Sequence, residues 1–173
     1  LLPAQLHVSR SLRRSLNRGH FRVSLDRAFE RVIDHCAAPR ANSSGRTWIT
    51  GAMRSAYLWL HRLGHAHSVE CWSGEDLVGG LYGVAMGRGF AGESMFSRMT
   101  DASKVALVCL ARQLAAWEFR LIDCQVPSLH VARLGGIEIP RRDFIQRWSA
   151  AVAEPDPVNW RFDPAVVPVG LAP

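Results

Sequence analysis

Gly92-Glu93-Ser94-Met95-Phe96-Ser97-Arg98 closes an apolar run and stands just before the longest helical pattern in the chain. It sets one carboxylate among two large apolar side chains and two hydroxyls. Beyond that helical pattern comes Leu121-Ile122-Asp123-Cys124-Gln125, apolar until Asp123. Residues 90–94 read as a strand, Asp101 caps a helix to about residue 119, and residues 120–125 read as a second strand. A strand, a helix and a strand in that order make a parallel pair. The two quoted stretches are then neighbours. Asp123 and Gln125, two apart in a strand, share a face, and with Glu93 they are expected to form one site.

Working outward, the helix between them carries Val105, Ala106, Val108, Leu110, Leu114 and Trp117 around more than one narrow stripe, so it is expected to be largely buried. Upstream, residues 66–72 and 77–86 alternate or run apolar and read as strands. With residues 90–94 they make an antiparallel meander. The second of them holds Gly79, Gly80 and Gly83, the mark of a bulge or of a close approach by another backbone or a ligand. Thr50 caps a helix over 51–63, with Gly64 in the position after its end. Further upstream, residues 6–8 read as a short strand. Ser9 caps a basic helix to residue 17, ended by Gly19; residues 21–25 read as a strand; and Asp26 caps a helix to residue 37, followed by a loop over 38–46. Downstream, residues 128–134 form a short helix and residues 137–139 a short extended piece. Pro140 opens a last helix, and a Pro-rich tail is pinned by Trp160 and Phe162. The class is α/β (α+β), a mixed central sheet flanked by helices. Its element order is that of the acyl-CoA N-acyltransferase (GNAT-like) fold, in which strands four and five splay and the substrate sits between them.

Composition bounds the function. A chain of 173 residues with 48% hydrophobic and 21% charged residues is globular and large enough for a core. No apolar run reaches the ~18 residues of a membrane span, and residues 1–5 show no signal-peptide pattern. The first residue is not Met, so a segment upstream is expected to be missing. Cys36, Cys71, Cys109 and Cys124 are scattered without a C-x-x-C, which reads as buried free thiols in a reducing cytoplasm. The net charge of +6 lies entirely before Thr47, where nine arginines face Asp26, Glu30 and Asp34. Such an excess neutralises phosphates, with Arg10, Arg13, Arg14 and Arg18 as the candidate nucleic-acid contacts. A solvated Arg-rich surface is the alternative, since the chain has twenty Arg and one Lys.

Other motifs carry less. His61, His65 and His67 straddle a helix end at Gly64, so they do not share a face as metal ligands would; pairing with backbone or carboxylates is expected. Coenzyme A enzymes of this fold use an Arg/Gln-x-x-Gly-x-Gly/Ala turn before the long helix, and no glycine stands between Glu93 and Asp101. Lys104 reaches toward a phosphate or a carboxylate, or faces solvent. Asp123 at the end of a buried-type strand needs a partner, either in a structural network or in a pair that activates a nucleophile.

Several long motifs follow one another in a known order: Thr47-Trp48-Ile49, His65-Ala66-His67-Ser68-Val69-Glu70, Leu77-Val78-Gly79-Gly80-Leu81-Tyr82-Gly83, Gly92 to Arg98, Ala102-Ser103-Lys104, Leu121 to Gln125 and Glu138-Ile139-Pro140-Arg141. Over about residues 6–148 the chain resembles the leucyl/phenylalanyl-tRNA–protein transferases. The resemblance implies a bacterial cytoplasmic aminoacyltransferase, monomeric and free of cofactor, metal and membrane. Such an enzyme moves Leu or Phe, and also Met, from Leu-tRNA or Phe-tRNA to proteins with N-terminal Arg or Lys, marking them for N-degron degradation. It further implies residues 1–20 as a basic connector from a missing N-terminal domain, 21–150 as the catalytic domain and 151–173 as a Pro-rich C-terminal tail. Asp123, Gln125 and Glu93 would be catalytic: a relay from Asp123 through Gln125, and Glu93 holding a cationic group. Trp48, Leu81, Phe90, Met95, Leu110 and Ile122 would bind substrate, the last five as an apolar pocket, with plain core packing the alternative for each. A coenzyme A-dependent N-acetyltransferase and a catalytically silent tRNA-binding protein are the competing functions.

Overall fold

The computed structural model describes residues 1–38, 47–156 and 159–171. Strand formation follows the alternation in the sequence. β1 (Arg22–Leu25), β2 (Ala66–Ser73), β3 (Asp76–Met86), β4 (Gly89–Ser97), β5 (Leu121–Asp123) and a two-residue β6 (Gly170–Leu171) form one mixed sheet in the order β5-β4-β3-β2-β1-β6. The β1–β2, β2–β3 and β3–β4 pairs are antiparallel, whereas β4–β5 and β1–β6 are parallel. This is the expected α+β architecture, with the meander and the parallel pair where the sequence puts them.

Helices cover both faces. α2 (Phe29–Ala37) and α3 (Gly51–Arg62) pack on one, around Phe29, Val32, Ile33, Leu77 and Tyr82. The other face carries α1 (Arg10–Asn17), α4 (Ala102–Ala116) and the C-terminal segment, around Leu12, Leu16, Val69, Leu81, Phe90 and most of α4. α4 is buried nearly throughout, as its all-round apolar pattern requires. Gly79 and Gly80 let this sandwich close. A Cβ on Gly79 would lie 2.6 Å from the Cβ of Ala102 at the start of α4, and one on Gly80 would press on Phe96 and Val32. α5 (Leu129–Arg133) and α6 (Arg141–Val152) complete the chain.

Several local expectations are corrected. Residues 6–8 are not a strand; a 3-10 turn, Pro3–Gln5, precedes them, and it is Leu1 that exchanges two backbone hydrogen bonds with Ile122 on the outer edge of β5. β4 runs three residues beyond Ser94, and α4 ends at Ala116. Residues 137–139 join no sheet. Asp26 does not cap α2, which begins after Ala28 with no side-chain cap of its own. Asp101 precedes α4 but gives it no cap bond, because its carboxylate is held by Ser15 and Lys104. β5 stops at Asp123, so Gln125 lies outside the sheet. Most of the loop expected over 38–46 lies outside the described residues. By contrast, Ser9, Thr50 and Ser128 each accept a helix N–H as caps do, and Trp160 and Phe162 pack on the core. Cys36, Cys71 and Cys109 are buried, Cys124 is half-buried, and none of the four is in a disulfide among the described residues.

Candidate active site

The site is built where β4 and β5 part. Their parallel pairing covers Gly89 with Leu121, Phe90 with Ile122 and Ala91 with Asp123. β5 then ends while β4 continues to Ser97. Just past the last pair, β4 is irregular. Gly83 faces Gly92 across β3–β4, but Tyr82 faces Ser94, so Glu93 is the extra residue of a β-bulge. A bulge re-aims a side chain beside a site at little cost to the sheet. Gly83 permits it: a Cβ there would collide with the Ala91 carbonyl and the Phe90 ring.

Glu93 is half-buried and its carboxylate interacts with the Tyr57 hydroxyl from α3. Burial first, then that carboxylate, push the Tyr57 phenol well above its ordinary pKa. The Tyr57 ring meets Tyr82 edge-on at 5.1 Å and Trp48 edge-on at 6.3 Å. Tyr82 is fully buried, and its hydroxyl makes no hydrogen bond among the described residues. Burial, followed by the nearby Tyr57, Cys36 and Glu93, raises its pKa strongly. Trp48, Tyr57, Tyr82 and Glu93 thus form one cluster of two phenols, an indole and a carboxylate.

Asp123 is half-buried and Gln125 exposed. The two are joined, but not as strand neighbours on one face. Asp123 Oδ1 accepts the backbone N–H of Gln125 at 2.8 Å, and Gln125 takes a left-handed conformation, φ 59°. This is an Asx turn, in which a short carboxylate replaces a backbone acceptor. It brings the chain sharply away from the sheet at the point where β4 and β5 separate. The carboxylate therefore contacts the main chain of Gln125.

Leu81, Phe90, Leu110 and Ile122 are each at most 3% exposed and belong to one cluster between the sheet and α4. Met95 lies opposite Leu81 and packs against that cluster from a half-buried position. These five candidates are brought together as a packed body beside the end of the β4–β5 pairing. Trp48 is not with them; it is 46% exposed and sits beside Tyr57 on the opposite face. Arg10, Arg13 and Arg14 on α1 and Arg18 at its C-cap are all exposed, whereas Leu12 and Leu16 are buried.

Two of the three histidines, His61 and His67, pair with backbone or carboxylate as expected, whereas His65 is exposed. His61 Nδ1 faces the Ala66 carbonyl at 2.8 Å, and His67 lies between Asp26 at 2.6 Å and the Gly64 carbonyl at 3.1 Å. Among the described residues no three metal-ligating side chains converge. Lys104 meets Asp101 at 2.7 Å. Tyr57, Tyr82 and Glu70 were not singled out in the sequence as site or support residues. For the tyrosines the available signal was a phenol inside an apolar pattern, which resembles ordinary core.

Comparison with known proteins points to one family. The sequence profile of the family described as leucyl/phenylalanyl-tRNA protein transferase matches residues 1–149. A leucyl/phenylalanyl-tRNA–protein transferase of Stutzerimonas stutzeri is 52% identical over 161 residues, 93% of this chain and 71% of that protein. One from Azoarcus sp. is 53% identical, covering 92% and 68%, and one from Anaeromyxobacter sp. is 50% identical, covering 98% and 73%.

Proposed function

Because this chain belongs to the leucyl/phenylalanyl-tRNA–protein transferase family, and is thus an aminoacyltransferase, we propose that it moves Leu, Phe or Met from aminoacyl-tRNA to proteins with N-terminal Arg or Lys. The product would be marked for N-degron degradation in the cytoplasm. Among the described residues no helix is long and apolar enough to cross a membrane. Residues 1–20 act as the basic connector, 21–150 as the catalytic domain and 151–173 as the tail.

The reaction is aminolysis of an activated ester. The acceptor's α-amine forms a bond to the ester carbonyl carbon, the ester C–O bond breaks, and the tRNA hydroxyl leaves. The amine arrives as an ammonium and must lose a proton before it attacks. No external energy source is needed, so the protein contributes positioning, proton removal and charge stabilisation.

Gln125 holds the incoming amine with its side-chain carbonyl, and Asp123 favours loss of the proton. Supporting this is the Asx turn, which ties the Asp123 carboxylate to Gln125 where β4 and β5 part. Glu93, turned out by the bulge and held near Tyr57, receives a cationic group. Leu81, Phe90, Met95, Leu110 and Ile122 form the apolar seat of the donor side chain, entered past half-buried Met95. Trp48, exposed on the face of Tyr57, offers an aromatic surface to substrate.

The test is single-turnover transfer of labelled Phe from tRNA to an Arg-Ala-Ala peptide, at saturating donor and acceptor. Asp123→Asn is expected to slow it by about 10²–10⁴-fold, the usual range for a positioned base, while tRNA affinity stays unchanged. Gln125→Ala also slows it, and the double variant is little worse than the slower single, because groups acting as a unit are non-additive. Transfer by Asp123→Asn at the wild-type rate would sink the relay.

A further inference from the structure

A groove of about 630 Å³ runs between α1 and the turn that joins β4 to α4. That size falls in the ~300–1,000 Å³ range of ligand sites. Its walls carry Arg14 from α1, Arg18 from the C-cap of α1, His20 from the following turn, and Arg98 from just past β4, with Phe21 also lining it. Arg54 and Arg120 each hold carboxylates on the surface. Arg14, Arg18 and Arg98 form no ion pair among the described residues. Three guanidiniums that converge without a counter-ion repel one another, so the arrangement is complementary to an anion.

The groove contains one carboxylate, Asp101, and it is neutralised. Lys104 Nζ contacts one of its oxygens at 2.7 Å, and Ser15 Oγ donates to the other at 2.8 Å. The lysine and then the hydroxyl hold its pKa below the usual carboxylate range. The only lysine in the chain is therefore committed to cancelling the one negative charge in a basic groove.

We infer that this groove seats a backbone phosphate of the aminoacyl-tRNA, with Arg98 and His20 completing a site that Arg14 and Arg18 open. The assignment rests on the transferase reading above and extends it to groups outside α1. Arg98 stands five residues past Glu93, just beyond the end of β4 at Ser97, roughly 16 Å of extended chain. A nucleic-acid strand rising ~3.4 Å per nucleotide covers that span in four or five nucleotides. The groove therefore lies within reach of the terminal strand of a tRNA whose ester sits at the parting of β4 and β5. Lys104 acts through Asp101 and is a positioning residue.

Retention of Phe-tRNA on filters, measured against salt, tests this. Arg98→Gln is expected to reduce the slope of log affinity against log salt by about 0.7–0.9, one phosphate contact. Arg62→Ala, an exposed arginine on α3, is expected to leave it unchanged. Lys104→Ala unmasks Asp101 and weakens binding several-fold, more than Arg62→Ala does. Adding Asp101→Asn restores it, and melting temperatures check that each variant is folded. An unchanged slope for Arg98→Gln, with a wild type that binds and transfers, overturns this proposal alone. A wild type that binds no tRNA overturns the transferase reading and this one with it. Inorganic phosphate is the second arm. If it raises the melting temperature through Arg98 while the tRNA slope is unaffected, the groove takes a free anion and the tRNA assignment fails.

Discussion

A single hydroxyl shows the cost of building a site inside a core. Tyr82 is wholly buried and its hydroxyl has no partner among the described residues. Leaving such a group unsatisfied costs about 1–3 kcal/mol. Tyr82→Phe keeps the ring contacts to Tyr57 and Phe29 and removes that cost. Urea unfolding is expected to show equal or greater stability, by about 1 kcal/mol, and a lower midpoint would mean that the hydroxyl is satisfied in solution. The same scale shows why Asp123 and Gln125 were only half legible. Their i, i+2 spacing fits a strand, which puts both side chains on one face, and equally fits an Asx turn, which ties side chain to main chain. The choice depends on where pairing with β4 stops, and that is decided by the bulge at Glu93 and the splay beyond it. Neither is encoded in the pentapeptide itself. The residues were found by type and motif, while their geometry came from a neighbouring strand.

At the scale of elements, the start of α2 makes the same point with a titratable group. Asp26 stands where a local reading expects a cap, but it adopts φ 60° and gives its carboxylate to Ser68 N–H and His67. The N–H groups just ahead of the helix are held from the sheet instead. Glu70 on β2 is fully buried and accepts from the N–H groups of Arg27 and Ala28 and from the hydroxyls of Ser24 and Ser68. No local rule finds an acceptor supplied from 42 residues away, whereas Ser9, Thr50 and Ser128 were legible because their caps are local. The Gly-rich strand was legible too, since a missing Cβ has few other uses in a strand interior. Burial raises the Glu70 carboxyl from 4.5 to about 7, against the opposing effect of its four donors. Between those values the native state holds a proton that the unfolded chain has lost. Stability from this group is therefore full below pH 4.5 and declines as pH rises to about 7. Glu70→Gln has no such proton. The stability of wild type relative to that variant should fall across this window, by up to about 3 kcal/mol, as read by urea unfolding at a series of pH values. A flat difference would show that Glu70 is ionised throughout.

The whole molecule is a two-sided sandwich, and its parts came through the sequence unequally. The meander, the parallel pair and the buried α4 were legible because period and order determine them. The path of the C-terminal segment was legible only as an anchor at Trp160 and Phe162, because an irregular strand of chain has no period. In the fold it is a strap. Trp160 stacks on His67 with ring centres 3.6 Å apart and planes 7° from parallel, and it meets Trp117, Phe119 and Phe90 at 5.1–6.3 Å. The N–H of Asp163 then donates to the buried Gln113 of α4 at 2.7 Å, Val167 is buried, and Gly170–Leu171 adds to β1 at the edge of the sheet far from β5. One segment thereby touches the end of α4, the start of β4 and the opposite sheet edge. An element with contacts spread so widely should unfold with the whole and not before it. Trp160→Ala removes the ring at the centre of those contacts and is expected to lower the unfolding free energy by about 3 kcal/mol. Circular dichroism and intrinsic fluorescence should still trace one coincident urea transition, shifted to a lower midpoint. Trp160→Phe, which keeps a ring over His67, should lose less than half as much. If Trp160→Ala instead left the midpoint in place, the strap would be a surface appendage. Its contact with Phe90 would then give no support to the apolar seat beside the end of the β4–β5 pairing.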